Sequence, residues 1–169
     1  AKRFGQTLNT RIKGSSHTLV TDADLEAEEA MLNVLRSRSD YRIMSEESGL
    51  SEEGEGPVWI VDPIDGTSNF AHSLPFFAVS VALYEKNIGL TGVIIDPVSK
   101  TEYSASKGNG VFCNGKPLII KDYNPQSVTL FVNHGHNSRD KELYSILTSR
   151  FAGKYGIRKL GTTALELCY

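Results

Sequence analysis

Apolar residues recur three or four positions apart in several parts of the chain, a pattern typical of helices that bury one face. The longest such stretch covers residues 21–38, and residues 4–12 predict the end of an earlier helix. A third helix is predicted to begin after Asn137 or Ser138. The predicted buried positions are Leu25, Met31, Leu32 and Leu35 in the long helix, and Leu143, Ile146, Leu147 and Phe151 in the third.

Other apolar blocks predict strands. Residues 58–61 form a continuous apolar run, which predicts a strand buried on both faces and ended by Pro63. Alternating apolar residues at 77–83 predict another strand, and Asn114-Gly115 is a strong signal for a tight turn. Strands and helices with hairpin-like connections indicate a layered mixed α/β or α+β fold, with all 169 residues in a single domain.

The last residues predict a short helix. Residues 163–166 have the Thr-x-x-Glu form of a capping box, so a helix is expected to start at Thr163. Only about two helical turns fit before Tyr169, and so short a helix is marginal without tertiary support. We therefore expect the 169 residues to be an incomplete chain.

The overall composition narrows the classes of partner. The chain is 40% hydrophobic and 22% charged with a net charge of −2, so neither nucleic acid nor an anionic membrane surface is an expected partner. No apolar run approaches the roughly 20 residues that span a bilayer. Cys113 and Cys168 form no C-x-x-C pair, which favours reduced thiols in a cytoplasmic protein.

Acidic residues collect at the ends of predicted strands. Asp62 and Asp65 follow the apolar run three residues apart, and Glu46 and Glu47 follow a strand predicted at residues 41–44. Converging carboxylates cannot all stay ionised without cations, and oxygen-only ligands suit Mg²⁺ or Mn²⁺. Two such ions about 3.5–4 Å apart serve phosphoryl transfer, one activating the attacking water and one stabilising the leaving oxygen. The sequence therefore predicts a magnesium site that acts on a phosphate.

The rigid strand makes Asp62 the expected bridging ligand, with Asp65 on one ion and Glu46 on the other. The backbone carbonyl of Ile64 lies between these ligands in sequence and could bind as well. The phosphate would be contacted by the backbone N–H groups of the two residues that follow, Gly66 and Thr67.

Several of the acidic and basic candidates also have a simpler explanation. Asp24 completes a capping box with Thr21, which explains it at least as well as catalysis does. Glu46 and Glu47 could be surface acids that follow a strand, and Lys13 could be a solvated helix end.

With these residues in view, the chain resembles the inositol monophosphatase family of Mg²⁺-dependent, Li⁺-sensitive phosphatases. Residues 59–70, W-I-V-D-P-I-D-G-T-S-N-F, match the family's first signature almost residue for residue. Residues 45–48, S-E-E-S, match its upstream motif, and residues 108–115 and 161–164 also fit. The family's second signature, W-D-x-A-A-G, which supplies a further metal-binding Asp, is absent from these 169 residues.

The resemblance implies a layered α/β/α sandwich of the sugar-phosphatase type, of which this chain would form the N-terminal two-thirds, usually in a homodimer. It implies that two or three Mg²⁺ ions bind to Glu46, Asp62, the Ile64 carbonyl and Asp65. Thr67 would help Glu46 to orient the attacking water, with Asp24 supporting Thr67. The implied catalytic residues are Glu46, Thr67, Asp24 and Lys13, and the implied substrate-binding residues are Gly66, Thr67, Gly161, Thr162 and Thr163.

The expected function is a Mg²⁺-dependent phosphomonoesterase that hydrolyses a small polyol or sugar phosphate such as inositol 1-phosphate. Fructose 1,6-bisphosphate and 3′-phosphoadenosine 5′-phosphate stay open as alternative substrates. A metal- and phosphate-binding module without turnover, acting in assembly or regulation, stays open as a function of a different class.

Overall fold

A computed structural model describes residues 2–13, 18–51, 53–120, 124, 128–132 and 138–169. Strands and helices follow one another along these residues, with most of the strands in the first 120 positions. In chain order the elements are β1 (Thr10–Lys13), β2 (Thr18–Thr21), α1 (Asp22–Arg36), β3 (Arg42–Ser45), β4 (Gly49–Leu50), β5 (Val58–Asp65), α2 (Thr67–Ala71), β6 (Ala78–Glu85), β7 (Ile88–Asp96), β8 (Thr101–Ser106), β9 (Gly110–Cys113), β10 (Lys116–Pro117), β11 (Thr129–Phe131), α3 (Ser138–Phe151), β12 (Gly156–Arg158) and α4 (Thr163–Cys168).

An eight-stranded mixed sheet organises the structure, in the order β10-β9-β8-β7-β6-β5-β3-β4. β3 and β5 are parallel, whereas the other neighbours in this sheet are antiparallel. Two small sheets accompany it, an antiparallel β1-β2 pair and a parallel β11-β12 pair. The carboxyl ends of β3 and β5 therefore lie side by side, which brings the acidic segments that follow them together.

Helices cover both faces of the large sheet. Val81 of β6 lines a space with Met31 and Leu35 of α1. Its neighbours Ser80 and Ala82 line a space with Leu167 of α4, which Val81 also borders, and neither of them lines the space beside α1. Because successive side chains of a strand point to opposite faces, α1 and α4 lie on opposite sides of the sheet. This arrangement confirms the predicted layered α/β/α fold.

An aromatic and aliphatic cluster joins the elements that carry the acidic residues. Its buried members are Ala23 of α1, Ile64 of β5, Phe70 of α2, and Phe77, which directly precedes β6. The rings of Phe70 and Phe77 meet edge to face with their centroids 4.8 Å apart. Phe4 packs on both rings, at 5.7 and 5.1 Å. The cluster fixes α1, β5 and α2 relative to one another.

The prediction that residues 4–12 form the last part of a helix is wrong. Residues 2–5 form turns, and residues 10–13 form β1, which pairs with β2. Phe4 and Leu8 still pack against the aromatic cluster, so their apolar character is used without a helix. Three apolar positions at four-residue spacing fit a turn followed by a strand as well as a short helix, which is marginal by itself.

The long helix is confirmed, but its buried face differs from the prediction. Thr21 caps α1 with a full capping box, and the buried residues of α1 are Ala23, Asp24 and Glu28. Leu25 is 48% exposed instead. Helix α3 is also confirmed, but its predicted core residues Leu143 and Ile146 are more than half exposed. Asn137, one of its two possible caps, lies outside the described residues. No helix in the described ranges is long and apolar enough to cross a bilayer.

Strand β5 does not end at Pro63 as predicted but continues to Asp65. Its register with β6 is irregular between Asp62 and Asp65, and this irregularity accommodates a proline that cannot donate to the ladder. Ile60 is 39% exposed, so the strand is not buried on both faces along its whole length. The α4 cap also differs from the prediction, since Thr162 rather than Thr163 occupies the N-cap.

Asp96 fixes the turn between β7 and β8. Its carboxylate is buried and accepts hydrogen bonds from the backbone N–H groups of Val98 (2.8 Å) and Ser99 (3.1 Å). It also accepts one from the Tyr169 hydroxyl at 3.2 Å. Burial alone would raise the pKa of Asp96, but the hydrogen bonds from Ser99, Val98 and Tyr169 outweigh it and lower that pKa.

Replacing Asp96 with alanine is expected to lower the free energy of unfolding by about 1–3 kcal/mol at pH 7, since three part-buried hydrogen bonds to a charged acceptor are lost. A carboxylate with a depressed pKa stabilises the fold above its unfolded pKa of 3.8, and this contribution disappears as the pH falls through the folded pKa. The deficit of the variant in urea denaturation should therefore shrink below about pH 4. The exposed Asp40→Ala variant is the control, and equal losses in both would contradict the prediction.

Candidate active site

Two acidic segments meet at the carboxyl ends of β3 and β5. Asp62 and Asp65 belong to the last four residues of β5, and Glu46 directly follows β3. The backbone N–H of Glu46 donates to the Val61 carbonyl at 3.1 Å, which extends the parallel pairing past the end of β3. This bond places Glu46 beside Asp62, as the sequence predicted.

Asp62 occupies an unfavourable position for a negative charge. Its Oδ1 atom is buried and accepts no hydrogen bond, while the side chain shares one with Glu46. Burial, followed by the charges of Glu46 and Asp65, raises the pKa of Asp62 to about 8. Such a carboxyl group takes up either a proton or a cation near neutral pH.

Asp65 is held by the start of α4. Its carboxylate accepts hydrogen bonds from the Thr162 hydroxyl (2.5 Å), the Ala164 N–H (2.6 Å) and the Thr163 N–H (3.2 Å). A carboxylate offers about four lone-pair positions, so these three donors leave room for a further partner. The orientation of Asp65 is therefore fixed by a segment almost 100 residues further along the chain.

Thr67 connects Asp24 to the end of β5. Its hydroxyl lies 3.0 Å from Asp24 Oδ1 and 3.1 Å from the Ile64 carbonyl oxygen. The other oxygen of Asp24 accepts hydrogen bonds from the Thr21 N–H (2.8 Å) and the Thr21 hydroxyl (2.6 Å). Asp24 thus caps α1, as its capping-box position predicts, and contacts Thr67 as well.

The segment at residues 160–164 is tied to the loop that contains Gly66. The Asn69 side-chain amide donates to the carbonyls of Leu160 and Phe76, both at 2.6 Å. The Glu166 carboxylate accepts from the backbone N–H groups of Leu160 (2.7 Å) and Gly161 (3.2 Å). Gly161 and Thr162 lie against Gly66, since a Cβ placed on Gly66 would come within 3.2 Å of the Gly161 carbonyl oxygen and 3.3 Å of Thr162 Cβ.

The remaining predicted residue, Lys13, is the last residue of β1, and its side chain lies outside the described part of the chain. Conversely, the sequence alone predicted no role in the site for Glu28, Asn69 or Glu166, whose hydrogen bonds support the same segments. The available signal for Glu28 is its position four residues after Asp24, which places both carboxylates on one face of α1.

The donors fit a hard cation such as Mg²⁺. Asp62 Oδ1 is a buried oxygen without a hydrogen-bond partner, Glu46 lies beside it, and the Ile64 carbonyl keeps a second lone pair. All of these donors are oxygen atoms, which Mg²⁺ prefers. In the described ranges, however, no three Asp, Glu, His or Cys side chains are grouped closely enough to form an assembled metal cluster.

Comparisons with known proteins agree with this geometry. The model of the inositol monophosphatase family matches residues 1–169. Inositol monophosphatase 1 of Rattus norvegicus is 34% identical over 171 residues, which cover 95% of this chain and 62% of the rat protein. The chain thus spans about 62% of the length of that relative, and the same share of the inositol monophosphatase 1 of Homo sapiens.

Solved structures show the same fold. The extragenic suppressor protein SuhB from Bartonella henselae has a TM-score of 0.85 and 33% identity, covering 96% of this chain and 64% of that one. A structure described as an inositol monophosphatase-fructose 1,6 bisphosphatase has a TM-score of 0.84 and 27% identity, covering 99% of this chain and 64% of that one. From its matched sequence and its fold, the chain belongs to the inositol monophosphatase family.

Proposed function

We propose that this protein acts as a Mg²⁺-dependent phosphomonoesterase on a small polyol or sugar phosphate such as inositol 1-phosphate. The observation that carries the proposal is the state of Asp62, whose buried Oδ1 has no hydrogen-bond partner while Glu46 and Asp65 lie nearby. Three neighbouring carboxyl groups are unfavourable in a folded protein unless a cation compensates them. Membership in the inositol monophosphatase family supports the same reaction class.

The proposed ligands are Glu46, Asp62, the Ile64 carbonyl and Asp65, for two or three Mg²⁺ ions, with Mn²⁺ as a substitute. When bound, the metal would polarise the phosphate and lower the pKa of a water molecule. Asp62, near the end of β5, would be the bridging ligand. Asp62 and Asp65 alone supply few ligands for a second ion, so we expect that ion to bind more weakly.

Thr67, Asp24 and Glu46 are the proposed groups for handling the attacking water. By donating its proton to Asp24, the Thr67 hydroxyl keeps its lone pairs available to accept a hydrogen bond from a water molecule. Glu46 is then the adjacent carboxylate that can accept a proton from the same water. Lys13 completes the proposed catalytic set on the strength of the family resemblance.

The proposed phosphate contacts are the backbone N–H groups of Gly66 and Thr67, because this backbone directly follows Asp65. Gly161, Thr162 and Thr163 would lie near the ring of the substrate. Thr162 is buried and donates to Asp65, so its part is to hold this segment in place, whereas Thr163 is exposed. Li⁺ inhibition, a homodimer and a cytoplasmic location belong to the proposal as consequences of family membership.

Phosphate release from inositol 1-phosphate tests the proposal. We expect release that depends on Mg²⁺, is supported in part by Mn²⁺, and is lost with EDTA and restored by excess Mg²⁺. Zn²⁺ at matched free concentration is a useful control, since the ligands are oxygen atoms rather than Cys or His. Release that persists in EDTA would contradict the proposal.

Fructose 1,6-bisphosphate is the alternative substrate with a specific observation in its favour, namely the structural neighbour described as an inositol monophosphatase-fructose 1,6 bisphosphatase. The same assay with this substrate and with 3′-phosphoadenosine 5′-phosphate ranks the candidates by kcat/KM. Calorimetric Mg²⁺ binding without hydrolysis of any of the three would instead favour a metal- and phosphate-binding module that acts in assembly or regulation.

A further inference from the structure

Glu28 is a buried carboxylate to which neither the sequence motifs nor the proposed reaction assigns a role. It lies in α1, four residues after Asp24, and is only 7% exposed. One of its oxygens, Oε1, accepts two hydrogen bonds from Ser48, from the backbone N–H at 3.0 Å and from the hydroxyl at 2.9 Å. Burying a carboxylate is costly, and here the cost is offset by contacts with a loop twenty residues away.

Ser48 lies in the segment that contains Glu46. This segment is fixed before Ser48 by the hydrogen bond from the Glu46 N–H to the Val61 carbonyl, and at Ser48 by Glu28. Glu46 and Ser48 are both exposed on the surface of the protein. Without Glu28, the donors of Ser48 could bond to water instead, and the turn between β3 and β4 would lose the two hydrogen bonds that fix it at Ser48.

The arrangement parallels that of Asp24. Asp24 and Glu28 are one helical turn apart and both are buried, so they share the face of α1 that packs towards β5. Asp24 bonds to Thr67 after β5, and Glu28 bonds to Ser48 after β3. One helix face thus holds both acidic segments of the site in place.

We propose that Glu28 is a positioning residue, which holds Ser48 and thereby keeps the carboxylate of Glu46 beside Asp62. The consequence for metal binding rests on the proposed function, whereas the effect on the loop does not. Glu28 itself touches neither metal nor substrate in this role. Its influence is transmitted through the backbone of residues 46–48.

Three variants test the proposal. Glu28→Ala removes the acceptor, Glu28→Gln keeps an oxygen that can accept from Ser48, and Glu29→Ala is the matched control at the next, exposed position of α1. In metal-free protein, we expect hydrogen–deuterium exchange at the amides of residues 46–48 to accelerate about tenfold in Glu28→Ala. Calorimetry should show Mg²⁺ affinity about tenfold weaker in the same variant, as for other supports of metal ligands. Glu28→Gln should remain close to wild type in both measurements.

Unchanged exchange at residues 46–48 in a folded Glu28→Ala protein would overturn the proposal, whatever the enzymatic activity. Faster exchange with unchanged Mg²⁺ affinity would mean that Glu28 stabilises only the loop. That result would overturn its proposed effect on metal binding. If Glu28→Ala does not fold, Ser48→Ala removes one of the two hydrogen bonds from the exposed side, and the same criteria apply. Wild-type protein that binds Mg²⁺ but releases no phosphate would contradict the proposed function and leave these tests decisive for Glu28.

Discussion

Replacing Asp62 with asparagine is expected to reduce Mg²⁺-dependent phosphate release by about a thousandfold in kcat/KM. The variant keeps the shape of the side chain but removes the charge at the proposed bridging position. Metal ions contribute several kcal/mol of transition-state stabilisation in such sites, and each 1.4 kcal/mol or so is tenfold in rate. The measurement is phosphate release from inositol 1-phosphate over a range of Mg²⁺ concentrations.

The same variant should leave the metal-free protein at least as stable as wild type in EDTA. Asparagine carries no charge next to Glu46 and Asp65. The substitution therefore removes the cost of placing a charged carboxylate in a buried position beside two others, which is what raises the pKa of Asp62. Glu102→Gln, which neutralises an exposed acid on β8 of the same sheet, is the control for activity and stability. An Asp62→Asn protein that is folded and fully active would show that Asp62 is not a metal ligand.

The parts of the site that could be predicted from the sequence are local. Asp62, Asp65 and Gly66 are nearly consecutive, so a strand that ends at them brings them together whatever the rest of the fold. The N-cap of α1 could be predicted for the same reason, since the Thr21–Asp24 hydrogen bonds are made within one helical turn. Such contacts depend on neighbouring residues alone.

The parts that could not be predicted depend on distant partners. No pattern in the sequence around Glu28 distinguishes it from a solvated acid, because its partner Ser48 is twenty residues away. The burial of Glu28 also explains the wrong assignment of Leu25, since polar and small residues face the sheet on that part of α1. The continuation of β5 past Pro63 likewise depends on an irregular pairing with β6, which a single strand sequence does not indicate.

Replacing Gly66 with alanine is expected to lower the free energy of unfolding by about 2–4 kcal/mol, through backbone strain and overpacking together. Gly66 has φ of +98°, which residues with a Cβ rarely adopt. A Cβ there would lie 3.0 Å from the Phe76 carbonyl oxygen and 3.2 Å from the Gly161 carbonyl oxygen. Both contacts are with backbone atoms, which cannot move aside as a flexible side chain would. Urea denaturation measures the loss.

Gly115→Ala separates the two contributions to this loss. Gly115 also has a positive φ, +72°, but nothing lies within 4 Å of a Cβ placed there, so its variant is strained without being crowded. It should lose only about 1 kcal/mol, which is the cost of a left-handed residue with a side chain. The excess in Gly66→Ala then measures how tightly residues 160–164 pack on the loop after Asp65. Equal losses in the two variants would mean that this packing is looser than the structure shows, and that the hydrogen bonds of Asp65 to α4 do not hold that segment in place.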